Sequence, residues 1–282
     1  MSIHKIVPCF WYENQALDAM KLYTSLFPNS TFKEINGFLS HCTLDGCELW
    51  GINGGPMFRP NPTFSLYTIC TSIKEIDSAY NTLLEGGGKV MMHLDKYDWS
   101  ERYAWIEDRW GVSWQLTLEK IDHTGRRITP TLMYVGDQFG RAEEAIQFLV
   151  LNFPESKIHF LQRYEDEAQK GKIAHGQFDL FGQRFVGQES GYMQSFSFSE
   201  GGSLVILCKD QEEIDHFWNL LTKEGQEGHC GWCKDQFGFS WQVIPENLHE
   251  LMADPVKSSK VAACFRTMKK MDYNQILSAA NS

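Results

Sequence analysis

Two glutamines, two histidines and a pair of cysteines are the side chains of this sequence best placed to do chemistry. Gln115 and Gln242 sit near the ends of two matching stretches. The first reads Trp105-Ile-Glu-Asp108-Arg-Trp-Gly111-Val-Ser-Trp114-Gln115-Leu116 and the second Trp232-Cys-Lys-Asp235-Gln-Phe-Gly238-Phe-Ser-Trp241-Gln242-Val243. Six positions agree, each 127 residues after its counterpart, and two of them are tryptophans. A side-chain amide donates and accepts hydrogen bonds, but it is a poor substitute for a carboxylate on a divalent ion. Asp108 and Asp235 precede glycines and read as caps of tight turns, because a carboxylate there bonds its own backbone. His41 and His175 fall at similar places on short middle strands, where an imidazole could serve as general base or ligand. Glu48 follows His41, while Arg184 stands at the corresponding place of the second copy. Cys230-Gly-Trp-Cys233 has redox or zinc spacing, yet it leads into a strand, where residues three apart diverge. The first copy carries Tyr103 and Ile106 instead, so the thiols belong to no shared mechanism.

The elements that must hold these groups repeat as well. Pro8 and Tyr12 pair with Pro130 and Tyr134, Phe27-Pro28 with Phe153-Pro154, and Ile76-Asp77 with Ile214-Asp215. The copies run over 1–122 and 126–247, joined at His123-Thr-Gly-Arg126, and 248–282 forms a tail. In the first copy Ile6–Tyr12 reads as a strand, and Leu17, Met20, Tyr23 and Phe27 trace a helical face that stops at Pro28. Strands are predicted at 31–38, 41–44 and 48–52. A second module follows, with a strand at 64–71 and a helix carrying Ile73, Ile76, Tyr80, Leu83 and Leu84. That helix ends at Gly86-Gly87-Gly88, before strands at 89–93, 103–106 and 113–118. Strand, helix and three strands occur twice in each copy, so the chain holds four βαβββ modules. The tail reads as helices over 245–253, 259–271 and 273–280, with Ala262, Phe265, Met268 and Met271 packing on the second copy.

Composition narrows the function classes. The 282 residues are 43% hydrophobic and 13% aromatic, enough for a sizeable core. A formal net charge of -10 argues against nucleic acid and anionic membrane surfaces. No apolar run approaches a membrane span, and the first ten residues read as the start of a strand. Eight scattered cysteines suit reduced thiols in a cytoplasmic protein.

The chain resembles the PhnB-like proteins of the vicinal oxygen chelate superfamily. Ile128-x-Pro130, Tyr134-x-Gly136, Ala142-Glu-Glu-Ala145 and Phe153-Pro154 look like their opening, and Cys230 to Pro245 like their ending. Some relatives are labelled 3-demethylubiquinone-9 3-methyltransferase. Methyl transfer from S-adenosylmethionine usually needs a glycine-rich strand-to-helix turn, whereas Gly86-Gly87-Gly88 follows a helix. The resemblance implies an α+β fold of tandem glyoxalase-like domains, each of two βαβββ modules forming a cupped mixed sheet, with the helical tail added. Single-domain relatives dimerise to build paired sheets; here the second copy could supply that partner, leaving a pseudo-dimer within the chain and a further homodimer open.

Glyoxalase-like members place a metal-binding His on the first strand and a Glu on the last. Those positions fall near Pro8 and Pro130 and on Gln115 and Gln242 here, so neither a metal nor another cofactor is expected. Strand alternation then predicts a small-molecule pocket lined by Phe10, Tyr12 and Gln115 in one copy and Tyr134 and Gln242 in the other, with His41 and His175 nearby. The same aromatics could equally be core. Binding of a small ligand, as in bleomycin-resistance proteins, is the first expectation. A lyase, isomerase or dioxygenase-like enzyme, with a divalent metal on His41, His175 or Glu48, is the second.

Overall fold

The computed structural model describes residues 5–121 and 126–282; residues 1–4 and most of the expected joint at 123–126 lie outside the described residues. The four modules follow one another. The first comprises β1 (Ile6–Tyr12), α1 (Ala16–Leu26), β2 (Thr31–Glu34), β3 (Leu39–Leu44) and β4 (Cys47–Asn53). The second has β5 (Phe64–Cys70), α2 (Ile73–Leu84), β6 (Lys89–Tyr97), β7 (Ser100–Glu107) and β8 (Ser113–Leu118). The third has β9 (Ile128–Tyr134), α3 (Ala142–Asn152), β10 (Lys157–Arg163), β11 (Ile173–Leu180) and β12 (Gln183–Glu189). The fourth has β13 (Gly202–Cys208), α4 (Gln211–Thr222), β14 (Gln226–Glu227), β15 (Trp232–Lys234) and β16 (Ser240–Pro245).

Local chemistry sets the helix ends. Ser72 accepts from the Glu75 backbone N–H to start α2, and Asp210 does the same from Glu213 for α4. Gly86 and Gly87 take positive φ, and the N–H groups of Gly87 and Gly88 donate back to the Leu84 carbonyl, which stops α2. The strand predicted over 31–38 ends at Glu34, because Asn36 turns the chain and accepts from the N–H groups of Phe38 and Leu39.

Two eight-stranded mixed sheets result, and each takes one module from each copy. The first sheet runs β14-β15-β16-β13-β1-β4-β3-β2 and the second β10-β11-β12-β9-β5-β8-β7-β6. Within a module the first strand pairs parallel with the last, as β1 does with β4, and its other edge is bare. An unpaired edge leaves backbone groups unsatisfied. It is covered by the first strand of a module from the other copy: β1 pairs antiparallel with β13, and β5 with β9. The modules of one copy thus lie in different sheets.

The helices sit between the sheets, α1 and α4 on the first, α2 and α3 on the second. One continuous core fills this layer. Tyr23 of α1 reaches across to Trp114 of β8, with ring centroids 4.9 Å apart, and Phe153 after α3 meets Trp241 of β16 at 5.5 Å. The tail forms α5 (Leu248–Ala253), α6 (Ser258–Phe265) and α7 (Tyr273–Asn281). Pro245 belongs to β16 and not to a helix. The helix expected to reach Met271 stops at Phe265, since Met268 turns back to the Phe265 carbonyl and Asp272 caps α7.

Arg127, unremarked in the sequence, locks the copies together. It is 5% exposed, and its guanidinium donates to Asp45, Glu75 and the Ile69 carbonyl at 2.8–2.9 Å. Removing one member of a buried ionic cluster strands the others. Arg127→Met should therefore lower unfolding free energy by about 3 kcal/mol, measured by urea denaturation; a loss under 1 kcal/mol would mean that Asp45 and Glu75 find water easily.

Candidate ligand-binding site

Each sheet has a face covered by its helices and an open face, and the register tells which side chains point where. In the second sheet Trp105, Gln115, Tyr67 and Thr129 form one cross-strand row. Ser113, Ser65, Thr131, Val186 and Gln177 form the next. Both rows lie on the open face, because the alternate residue Trp114 faces Tyr23 in the core. Gln115 is 4% exposed and held from both sides: its Nε2 donates to Ser65 Oγ at 2.9 Å and its Oε1 accepts from Tyr103 OH at 3.0 Å. One N–H and one lone pair of the amide remain beyond these two bonds.

Tyr67, the register partner of Gln115, is joined on this face by further rings. His175 lies between Tyr67, centroids 5.6 Å apart, and Phe160, stacked at 5.8 Å. Burial lowers the His175 pKa to about 4, so the ring is neutral at physiological pH. Its Nε2 is 3.2 Å from Gln177 Nε2. Trp105 donates its indole N–H to Ser113 at 2.7 Å. Tyr103 is flanked by Tyr97 and Trp99 from the β6–β7 hairpin. Arg184 pairs with Asp179 at 2.7 Å, and Glu119 accepts from the hydroxyls of Tyr67 and Thr117.

The first sheet repeats the frame with different side chains. Gln242 donates to Ser203 at 3.0 Å, as Gln115 does to Ser65. The places of Tyr67 and Thr129 are taken by Val205 and Val7, and that of Val186 by Trp50, all three almost fully buried. The tail covers this apolar face. His249 of α5 packs on Trp50 at 5.8 Å, and Asn36 donates to the Met252 carbonyl. The helices on the second sheet, α2 and α3, both lie on its other face.

The predicted residues are therefore divided. Gln115 and His175 both lie on the second sheet, each beside Tyr67. Gln242 and His41 share the first. His41 Nδ1 lies 3.6 Å from Glu48 Oε1, which also accepts from the Trp50 indole. His41 and His175 are not equivalent: the counterpart of His41 is Gln177, two residues further along β11. Phe10, Tyr12 and Tyr134 face the helix layer instead of the open faces. Tyr12 OH meets Tyr23 OH of α1 at 3.2 Å, Phe10 packs on Phe64, and Tyr134 on Phe198, all at most 2% exposed. Their strands place Val7, Cys9 and Trp11 on the open face, and Thr129, Thr131 and Met133 in the other copy. The sequence reading anchored the alternation on the aromatics, and on these central strands both faces are apolar enough to hide it. Tyr67, Tyr103 and Ser65 were missed, although their polarity inside apolar strands was the available signal.

No three His, Cys, Asp or Glu side chains converge to hold a metal among the described residues. The hydroxyls bonded to either glutamine do not suit a divalent ion. Cys230 and Gly231 form a left-handed turn before β15, and Cys233 is buried, with burial pushing both thiols above their ordinary range. Asp108 and Asp235 cap their turns as expected. Each accepts from two backbone N–H groups and a tryptophan indole, and burial raises each to about 6. A carboxyl raised in the fold binds more protons there than in the unfolded chain. Its contribution to stability should fall by about 2–3 kcal/mol between pH 4 and pH 6 and stay flat above. Unfolding of wild type and Asp108→Asn across that range should show this difference; a parallel pair of curves would refute it.

The chain matches one described family twice. The family of 3-demethylubiquinone-9 3-methyltransferase covers residues 4–117 and 126–244. A Bacillus cereus protein described as a putative 3-demethylubiquinone-9 3-methyltransferase, PhnB protein, is 34% identical over 41% of this chain and 100% of its own, with a TM-score of 0.39. Glyoxalase I from Zea mays is 13% identical over 88% of this chain and 95% of its own, with a TM-score of 0.53, a likeness of fold. No curated protein matches. The double match, with the paired cups that carry it, makes this chain a tandem member of the PhnB-like 3-demethylubiquinone-9 3-methyltransferase family, within the vicinal oxygen chelate superfamily.

Proposed function

We propose that the chain binds a small, uncharged, partly apolar molecule on the open face of the second sheet, at Gln115, without a metal. The asymmetry of the two open faces carries this reading. One is apolar and covered by the tail, while the other keeps a clamped amide beside aromatic side chains. Such a mix of apolar walls and a few fixed polar groups suits a small ligand. Gln115 supplies the directional contact, His175 a neutral ring, and Tyr67, Phe160 and Trp105 the apolar walls.

Methyl transfer fits the residues poorly. The glycines of 86–88 close α2 and do not open a helix after a strand, and the N–H groups of Gly87 and Gly88 are spent on the Leu84 carbonyl. All eight cysteines are free, which supports a reducing, cytoplasmic setting. The second copy supplies each sheet with its partner module, so no other subunit is needed to complete either one.

Naphthoquinone, quinoline and benzamide are suitable neutral probes for calorimetric titration. At least one should bind the wild type, and Gln115→Leu should weaken it roughly tenfold, the worth of one buried hydrogen-bonding group. Equal binding by the variant would refute the site. Protein purified without chelator should carry far less than one zinc, iron or manganese per chain. A stoichiometric metal held by side chains would transfer the reading to a metal-dependent lyase, isomerase or dioxygenase-like enzyme.

A further inference from the structure

A run of polar side chains on the second open face ends on a histidine. Asp179, Gln177 and His175 alternate along β11 and share that face. Arg184, the register partner of Asp179, joins the first two. Its Nε donates to Asp179 at 2.7 Å and its Nη1 to Gln177 Oε1 at 2.9 Å. The other oxygen of Asp179 lies 2.7 Å from His159 Nε2. A guanidinium only donates, so it selects which end of the Gln177 amide faces it. The oxygen turns to Arg184 and the NH2 group turns to His175.

That orientation decides the state of the imidazole. Gln177 Nε2 lies 3.2 Å from His175 Nε2. An amide nitrogen donates and does not accept, so His175 Nε2 is the lone-pair nitrogen. A neutral ring then carries its proton on Nδ1, and burial keeps this ring neutral by lowering its pKa to about 4. Nδ1 has no hydrogen-bond partner among the described residues. Nor is it one of their sealed, unpartnered atoms, which belong to Gln183, Ser240, Asn247 and His249. On a half-buried ring it is therefore a fixed N–H donor open to solvent. Phe160, 45% exposed, stacks on the same imidazole. The first sheet has no equivalent donor, since Leu39 occupies the place of His175.

We propose that His175 Nδ1–H is a specificity-determining donor of the second open face, and that it reads the carbonyl oxygen of an uncharged, partly aromatic ligand lying against Phe160 and Tyr67. Arg184 and Gln177 are positioning residues that hold the proton on Nδ1. In this state His175 takes no proton from a ligand, because Nδ1 already carries one and Nε2 is engaged. It acts as a donor and not as a base. The inference rests on reading the second open face as a binding surface. It adds a donor distinct from Gln115 and names the ligand atom which that donor meets.

Nitrogen NMR of the full chain with labelled histidines separates protonated from lone-pair ring nitrogens. His175 is assigned by the signals missing from His175→Gln. Without ligand, the wild type should show His175 protonated at Nδ1 and bare at Nε2. Gln177→Glu, whose carboxylate can only accept, should place a proton on Nε2, and Gln115→Leu should not. α-Tetralone and tetralin, which has the same rings without the carbonyl, then test recognition. Tetralone should shift the His175 Nδ1 signal and bind roughly three- to tenfold tighter than tetralin, for one hydrogen bond. His175→Leu should abolish that preference and still bind tetralin, whereas Gln115→Leu should keep it. A proton on Nε2 in the wild type, no change in Gln177→Glu, no binding of tetralone, or a preference that survives His175→Leu would each overturn the proposal. A preference lost in Gln115→Leu alone would also overturn it, while leaving the site at Gln115 standing. Unaltered ligand binding in Gln115→Leu, with the preference lost in His175→Leu, would sink the Gln115 site and support the donor at His175.

Discussion

The bare edge of each module's first strand is the constraint from which the rest of the architecture follows. A βαβββ module satisfies one side of that strand through parallel pairing with its last strand and leaves the other side open. The two open edges that meet belong to different copies, β1 with β13 and β5 with β9. Antiparallel pairing at the centre of each sheet therefore interleaves the copies. It also turns both helix pairs inward to a common core, where Tyr23, Asp108 and Trp114 join modules that lie in different sheets. Arg127 fixes the crossing from one copy to the other.

Interleaving gives the molecule two cups related by an approximate twofold, and the side chains then break the symmetry. Exchanging Tyr67 and Thr129 for Val205 and Val7 makes one face apolar. An apolar sheet face in water must be covered, and the 35 residues after the second copy do so. The other face keeps hydroxyls and aromatic rings around its amide. Duplication thus provides two frames, and a few substitutions on the central strands decide which becomes a dock for the chain's own tail.

Much of this was legible in the residues. The repeated Trp, Asp, Gly, Ser, Trp and Gln positions marked the copies. The Asp caps and the glycine helix stop were readable because each depends on neighbours within a few residues. The facing of the central strands was not. Phe10, Tyr12 and Tyr134 lie on strands buried on both sides, where alternation carries no contrast, and the sequence alone cannot say that helices cover the aromatic side. The sharing of sheets between copies was open for a similar reason: edge pairing is a long-range choice that no local pattern encodes. Arg127 looked like any surface arginine, since its partners at 45 and 75 are far away in sequence.

The crossing of the copies also has a consequence in time. β1 leaves the ribosome well before its partner β13, which ends at residue 208. At about 5–20 residues per second, the nascent chain carries an unpaired hydrophobic edge for roughly 10–40 seconds before that partner exists. Contacts of such sequence separation form late and slowly. The second sheet, whose central strands β5 and β9 are nearer in sequence than β1 and β13, can assemble first. Synthesis from the first residue onward thus makes the inner pair of modules a scaffold on which the outer pair closes.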